Sequence, residues 1–185
     1  MSGMELVACL TYALSVWLAA RNNVNTWWIG IVGCLLYGWV FFVARLYADV
    51  TLQVFFILTS GIGWVHWLKG NQGCKKVITR TTRRSLVIML VGAFIVAVIY
   101  AAILHFYTNA WSPWLDSLIL TFSVLAQLML MRRKLESWPM WLIVNTIAVP
   151  VYAARELWLT AGLYLIFWVN AWYGFYQWRR EWATQ

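Results

Sequence analysis

Charge is scarce in this 185-residue chain: 11% of its residues are Asp, Glu, Lys or Arg, and only six of them are acidic. A soluble domain carries roughly 25% charged residues. With 63% hydrophobic residues and a mean hydropathy of +0.71, that scarcity excludes a solvated globule. Cysteine is rare too. Cys9, Cys34 and Cys74 are odd in number and irregularly spaced, which leaves neither a disulfide framework nor a metal-ligand pattern. The two histidines, His66 and His105, stand far apart with no HExxH spacing, and no Walker loop or GxGxxG occurs. Nucleotide-driven pumping, metal catalysis and a bound cofactor therefore have no sequence support. Embedded acid–base pairs that would relay protons are missing as well. Residues 1–20 lack a basic leader, carry Glu5 and offer no small-residue cleavage site before Arg21. They predict a first membrane span and not a signal peptide.

What is present is apolar sequence in seven runs, at roughly 4–20, 26–43, 48–68, 85–107, 114–131, 138–154 and 158–178. At about 20 residues per span, seven spans consume most of the chain, so a single transmembrane domain over 1–185 is expected. Threading the runs back and forth sorts the 14 basic residues. Arg45 and Arg155 fall on one side, and all the others, from Arg21 to Arg180, fall on the opposite side. This is the positive-inside pattern. It predicts an outside N-terminus, a cytoplasmic C-terminus and a cytoplasmic connector at Lys69–Arg84. The net charge of +8 resides in short loops beside apolar runs, where topology and anionic lipid explain it better than nucleic acid does.

Tryptophan is abundant, with 15 residues, and many stand at span ends (Trp17, Trp27, Trp28, Trp64, Trp67, Trp111, Trp114, Trp138, Trp178 and Trp182). An interfacial aromatic belt is the simplest expectation. Some of them also recur in register. Sliding 27–69 onto 138–180 pairs Trp27 with Trp138, Val40 with Val151, Phe56 with Phe167, Gly63 with Gly174 and Trp67 with Trp178. Basic ends then meet as well, Lys69 on Arg180. Such a repeat predicts two three-helix copies in the same orientation, about 4–68 and 114–178, joined by a linker helix at 85–107. In a parallel-repeat transporter the substrate site is expected between the halves, near the bilayer midplane.

Polar side chains inside spans mark candidate pathways. The densest set is Trp138, Trp141 and Asn145, spaced i, i+3 and i+7 on one helical face. Indoles stack on flat heteroaromatic rings, more strongly when the ring is cationic. A carboxamide offers donors and acceptors to hydroxyls or amides. Gln53, Gln127 and Asn170 are further carboxamides at depth, and Tyr37, Tyr152 and Tyr164 supply phenols. The competing reading of each is interhelical packing and hydrogen bonding. Asp116 near the start of the fifth run suits a helix N-terminus. Pro150 interrupts the hydrogen-bond ladder of the sixth run and is a candidate hinge.

Several motifs resemble the Pnu family of bacterial vitamin transporters. They are Leu52-Gln53-Val54-Phe55-Phe56, Gly63-Trp64-x-x-Trp67, Trp114-x-Asp116-Ser117, Met131-Arg132-Arg133-Lys134 and Trp138-x-x-Trp141-x-x-x-Asn145. The resemblance covers nearly the whole chain. It implies an all-α polytopic protein of the bacterial inner membrane, with a SWEET-like 3+1+3 fold of seven transmembrane helices, assembled as a homotrimer. It also implies facilitated diffusion of nicotinamide riboside, trapped by a cytoplasmic kinase, with substrate held by Trp138, Trp141 and Asn145 and Gln53 a further candidate. Gly33 and Ile62 depart from the riboside carriers' pattern, and relatives carry thiamine, riboflavin or deoxynucleosides. Thiamine, an aromatic cation, is the runner-up substrate. A membrane-embedded enzyme or assembly subunit is the reading from a different class.

Overall fold

The computed structural model describes residues 3–43, 47–69, 77–107, 112–154 and 158–184. Seven helices are present among them: α1 (Gly3–Ala20), α2 (Asn25–Val43), α3 (Tyr47–Leu68), α4 (Arg83–Tyr107), α5 (Pro113–Met131), α6 (Ser137–Ala154) and α7 (Trp158–Ala183). The protein is all-α, and its helices follow the seven apolar runs to within a few residues. Arg45, Arg155, Glu156, Trp111 and Cys74 to Lys76, on which part of the topology reading rests, lie outside the described residues.

Lengths follow from the solvent. At about 1.5 Å per residue, the 18 residues of α1 span roughly 27 Å and the 26 of α7 roughly 39 Å, which brackets a hydrocarbon core of about 30 Å. The most apolar helix is α4, with a mean hydropathy of 2.9 over a stretch of which 11% is buried inside the chain. Its Val, Ile and Phe side chains are therefore left to face lipid. By length and hydropathy alone, only α4 and α5 among the described helices reach the level of a membrane span. The others replace aliphatic residues with indoles, phenols and carboxamides, which lowers hydropathy where side chains meet protein.

The chain divides into two compact units. The first comprises Met1–Ile78, Met131–Arg133 and Tyr173–Gln185, and the second Thr79–Leu130 and Lys134–Trp172.

In the first unit α2 packs against both α1 and α3. Small residues let these helices approach closely, as membrane bundles require. Ser15 Oγ donates to the Thr26 carbonyl and Thr26 Oγ1 donates to the Ser15 carbonyl, each at 2.8 Å. A methyl group added at Gly63 would come within 2.7 Å of the Trp27 indole. We therefore expect Gly63→Ala to cost about 1–3 kcal/mol through overpacking, read as a lower midpoint in thermal unfolding in detergent. Gly61, with open space around it, is the matched control.

In the second unit α4 is preceded by an extended segment clipped to the α5–α6 turn. Leu135 N donates to Thr79 O at 3.0 Å and Thr81 N donates to Glu136 Oε2 at 3.0 Å. Arg80 Nε lies 3.5 Å from Glu136 Oε1. Thr82 then caps α4, its Oγ1 accepting from Ser85 N. The part of the Lys69–Arg84 connector that lies among the described residues is thus ordered by hydrogen bonds to a turn far along the chain.

The tryptophans do not all form a belt. Trp17, Trp28, Trp64, Trp114 and Trp182 are exposed, as a belt requires. Trp27 (3% exposed), Trp67 (4%), Trp138 (2%) and Trp178 (0%) are buried. These four are the two pairs that the offset of 111 residues superposes.

Candidate functional site

The second unit holds most of the residues singled out from the sequence. Along α6, Trp138 and Asn145 are each 2% exposed, and Trp141 between them is half-buried. Trp141 packs on two apolar clusters, Ile119–Val144–Ala148–Val151 and Ala126–Met129–Met140. Tyr152 and Tyr164 pack on the first of these, with ring centroids 5.0 Å apart and planes at 35°. The sequence thus brought Trp141, Tyr152 and Tyr164 to one aromatic neighbourhood beside the segment that carries Asn145. Gln127 is buried on α5 and Asn170 half-buried on α7.

Asn145 is the most informative of these residues. Its Oδ1 is buried and has no hydrogen-bond partner among the described residues. An unmatched buried carbonyl oxygen costs about 1–3 kcal/mol, so a side chain serving only as packing glue is expected to be satisfied. Gln53 in the first unit is in the same condition, 8% exposed with Oε1 lacking a partner among the described residues. Both carboxamides offer an acceptor to a ligand donor.

Tyr37, in the first unit, is engaged by its neighbours. Its hydroxyl lies 2.7 Å from Cys9 Sγ, and its ring meets Tyr12 edge-on at 5.7 Å. Tyr12 in turn covers Gly33, where an added Cβ would come within 2.9 Å of its ring, and its hydroxyl lies 3.9 Å from Cys34 Sγ. Sequence reading missed this thiol–phenol cluster, since neither cysteine nor Tyr12 carries a spacing that points to the others. Pro150 lies inside α6, which is helical through it, and is exposed on an apolar groove of about 400 Å³ lined by Leu115, Thr146, Ile147, Val151 and Ala154. That groove does not include Trp138, Trp141 or Asn145. Asp116 falls in the first turn of α5, as a helix-start carboxylate should.

A family model described as nicotinamide mononucleotide transporter matches residues 2–180. The chain belongs to that family. It is a membrane transporter and not an enzyme, as its relatives are transporters. It is similar to the nicotinamide riboside transporter PnuC of Escherichia coli (strain K12), with 24% identity over 90% of this chain and 80% of that protein. The PnuC of Neisseria mucosa is 23% identical over 97% of this chain and 73% of its own length. The riboflavin/roseoflavin transporter RibM of Streptomyces davaonensis is also 24% identical, over 94% of this chain and 83% of that one. The fold matches the crystal structure of the vitamin B3 transporter PnuC with a TM-score of 0.83 and 21% identity, covering 99% of this chain and 83% of that one. The transporter is thus a multi-pass protein of the bacterial inner membrane.

Proposed function

We propose that this transporter carries nicotinamide riboside into the cell by facilitated diffusion, and that phosphorylation by a cytoplasmic kinase keeps the vitamin inside. The observation that carries the reading is the buried, partnerless oxygen of Asn145 on the same helical face as Trp138 and Trp141. A pyridinium ring stacks between or against indoles, and its carboxamide or ribose hydroxyls supply the donor that Asn145 lacks. Gln127, Asn170, Tyr152 and Tyr164 of the same unit complete the proposed lining, and Pro150 is the proposed hinge.

A nucleoside fits better than a nucleotide. Within the seven helices, Lys and Arg occur only at the start of α4 (Arg83, Arg84) and near the end of α7 (Arg179, Arg180). A phosphate at the level of Asn145 would find no cation to offset its burial. The lack of embedded proton-relay pairs supports passive transport.

The proposal includes two like-oriented triplets around the linker helix α4, a cytoplasmic C-terminus and a homotrimer. Support for the triplets comes from helix ends. Asn23 N donates to Leu18 O after α1, and Lys134 N donates to Met129 O after α5, each at 3.0 Å. Asn22 and Arg133 between them take φ values of 53° and 50°. Both are Schellman caps, and every member of one lies 111 residues from its counterpart in the other.

Saturable uptake of labelled nicotinamide riboside into proteoliposomes tests the substrate. We expect unlabelled riboside to compete and thiamine not to. A second reading, riboflavin, is favoured by the RibM relative, whose identity equals that of the Escherichia coli riboside transporter. Competition by riboflavin at lower concentration than by riboside would select it.

A further inference from the structure

At one end of the first unit, two tryptophans make reciprocal bonds that neither packing nor substrate recognition accounts for. Trp67 Nε1, on α3, donates to the carbonyl of Met131 at the end of α5 (3.1 Å). Trp178 Nε1, on α7, donates to the carbonyl of Ala19 near the end of α1 (3.2 Å). The two indoles are repeat equivalents and touch, with centroids 6.1 Å apart. The third helix of each proposed triplet is thereby tied to the first helix of the other.

The caps that follow those carbonyls join the same cluster. Arg133, 3% exposed, places its guanidinium 4.1 Å over the Trp67 ring. Asn22, 4% exposed, donates through Nδ2 to Glu181 Oε1 at 2.8 Å. Burial pushes the Arg133 guanidinium below its ordinary value, and the Glu181 carboxylate pulls it back. One acid therefore serves both caps. In the other triplet the equivalent position is Gly70, which offers no second carboxylate.

We propose that this cluster is the gate at the basic end of the transporter, closed in this structure, with Glu181 as its latch. It rests on the reading of two triplets that move against each other. Opening at this end requires the third helices to leave the opposing first helices, which breaks both indole bonds together. The released carbonyls of Ala19 and Met131 are helix-terminal and can take water, so the closed and open states differ by few net bonds. Arg133 holds a left-handed backbone that a non-glycine residue rarely adopts. The closed cluster compensates that strain. Arg21, Arg132, Arg179 and Arg180 surround this end, which positive-inside logic assigns to the cytoplasm.

The test uses no substrate, so its outcome is separate from that of the uptake assay. A cysteine replacing Ala20, which is fully buried beside the cluster, is treated in oriented vesicles with a charged, membrane-impermeant thiol reagent. Labelling is read site by site by mass spectrometry. We expect Glu181→Gln to raise labelling from the basic side at least tenfold, with Glu181→Asp near the parent rate. Trp178→Phe, which keeps the ring and loses the bond, is expected to do the same if Glu181→Gln folds poorly. An unchanged rate in the folded variants would overturn the proposal. So would equal acceleration at Cys9 and Cys34, which would mean general loosening.

Discussion

Asn145→Leu is expected to reduce transport between roughly tenfold and a hundredfold while leaving the yield of folded protein unchanged. Leucine shares the branched outline of asparagine and its number of side-chain heavy atoms, and the site is already 2% exposed, so the substitution opens no cavity. It also removes a buried oxygen that lacks a partner, which relieves a cost in the empty protein. What is lost is one or two hydrogen bonds to substrate, at about 1–3 kcal/mol for a ligand group left unmatched. Stability and transport should therefore move apart, with the melting temperature of the variant equal to or above that of the parent. A variant that transports normally would mean that the carboxamide faces no substrate. A variant that fails to fold would mean that it holds helices together.

Trp178→Ala is expected to be the most destabilising single substitution, at about 3–5 kcal/mol. The indole is fully buried, donates to Ala19 O and packs against Trp67, so truncation opens a cavity and removes one of the two donors to that carbonyl, leaving Asn22 N as the other. Trp178→Phe should cost only about 1–2 kcal/mol, mainly the lost bond. Trp182, four residues on, is 39% exposed, and its replacement by alanine should cost well under half as much as Trp178→Ala, because it leaves no buried cavity. Chemical unfolding in mixed micelles ranks the three. Equal costs at 178 and 182 would mean that both belong to the interfacial belt.

That contrast marks where the sequence was legible. Apolar runs located all seven helices because lipid tolerates little else over such lengths. The ends were nearly right too, with α2 expected over 26–43 and found at Asn25–Val43. The seventh helix ran past its apolar run to Ala183, because polarity ends a span without ending a helix, and Glu181 there is held by Asn22. Tryptophan was harder. An indole at a span end reads as a belt residue, and only burial separates Trp178 from Trp182. The repeat offset carried the missing information, since Trp27, Trp67, Trp138 and Trp178 are its matched pairs.

The caps stayed hidden for a different reason. Extending the repeat five residues upstream of Trp27 pairs Asn22 with Arg133, but an arginine gives no sequence signal for a left-handed cap, where glycine is usual. Helical spacing put Trp138, Trp141 and Asn145 on one face of α6, whereas the packing of Tyr164 from α7 beside Tyr152 depends on a second helix and carried no such signal. The engagement of Tyr37 with Cys9 was not legible either, because a thiol on one apolar helix and a phenol on the next carry no mutual register.

Passive transport through a neutral, indole-lined path is the central claim, and counterflow in proteoliposomes tests it most directly. Vesicles preloaded with unlabelled nicotinamide riboside should draw in labelled riboside transiently, and without preloading the label should equilibrate at equal concentrations inside and out. Imposing a proton or sodium gradient should leave that final ratio at unity. Accumulation above unity driven by either gradient, or no riboside exchange at all, would contradict the account.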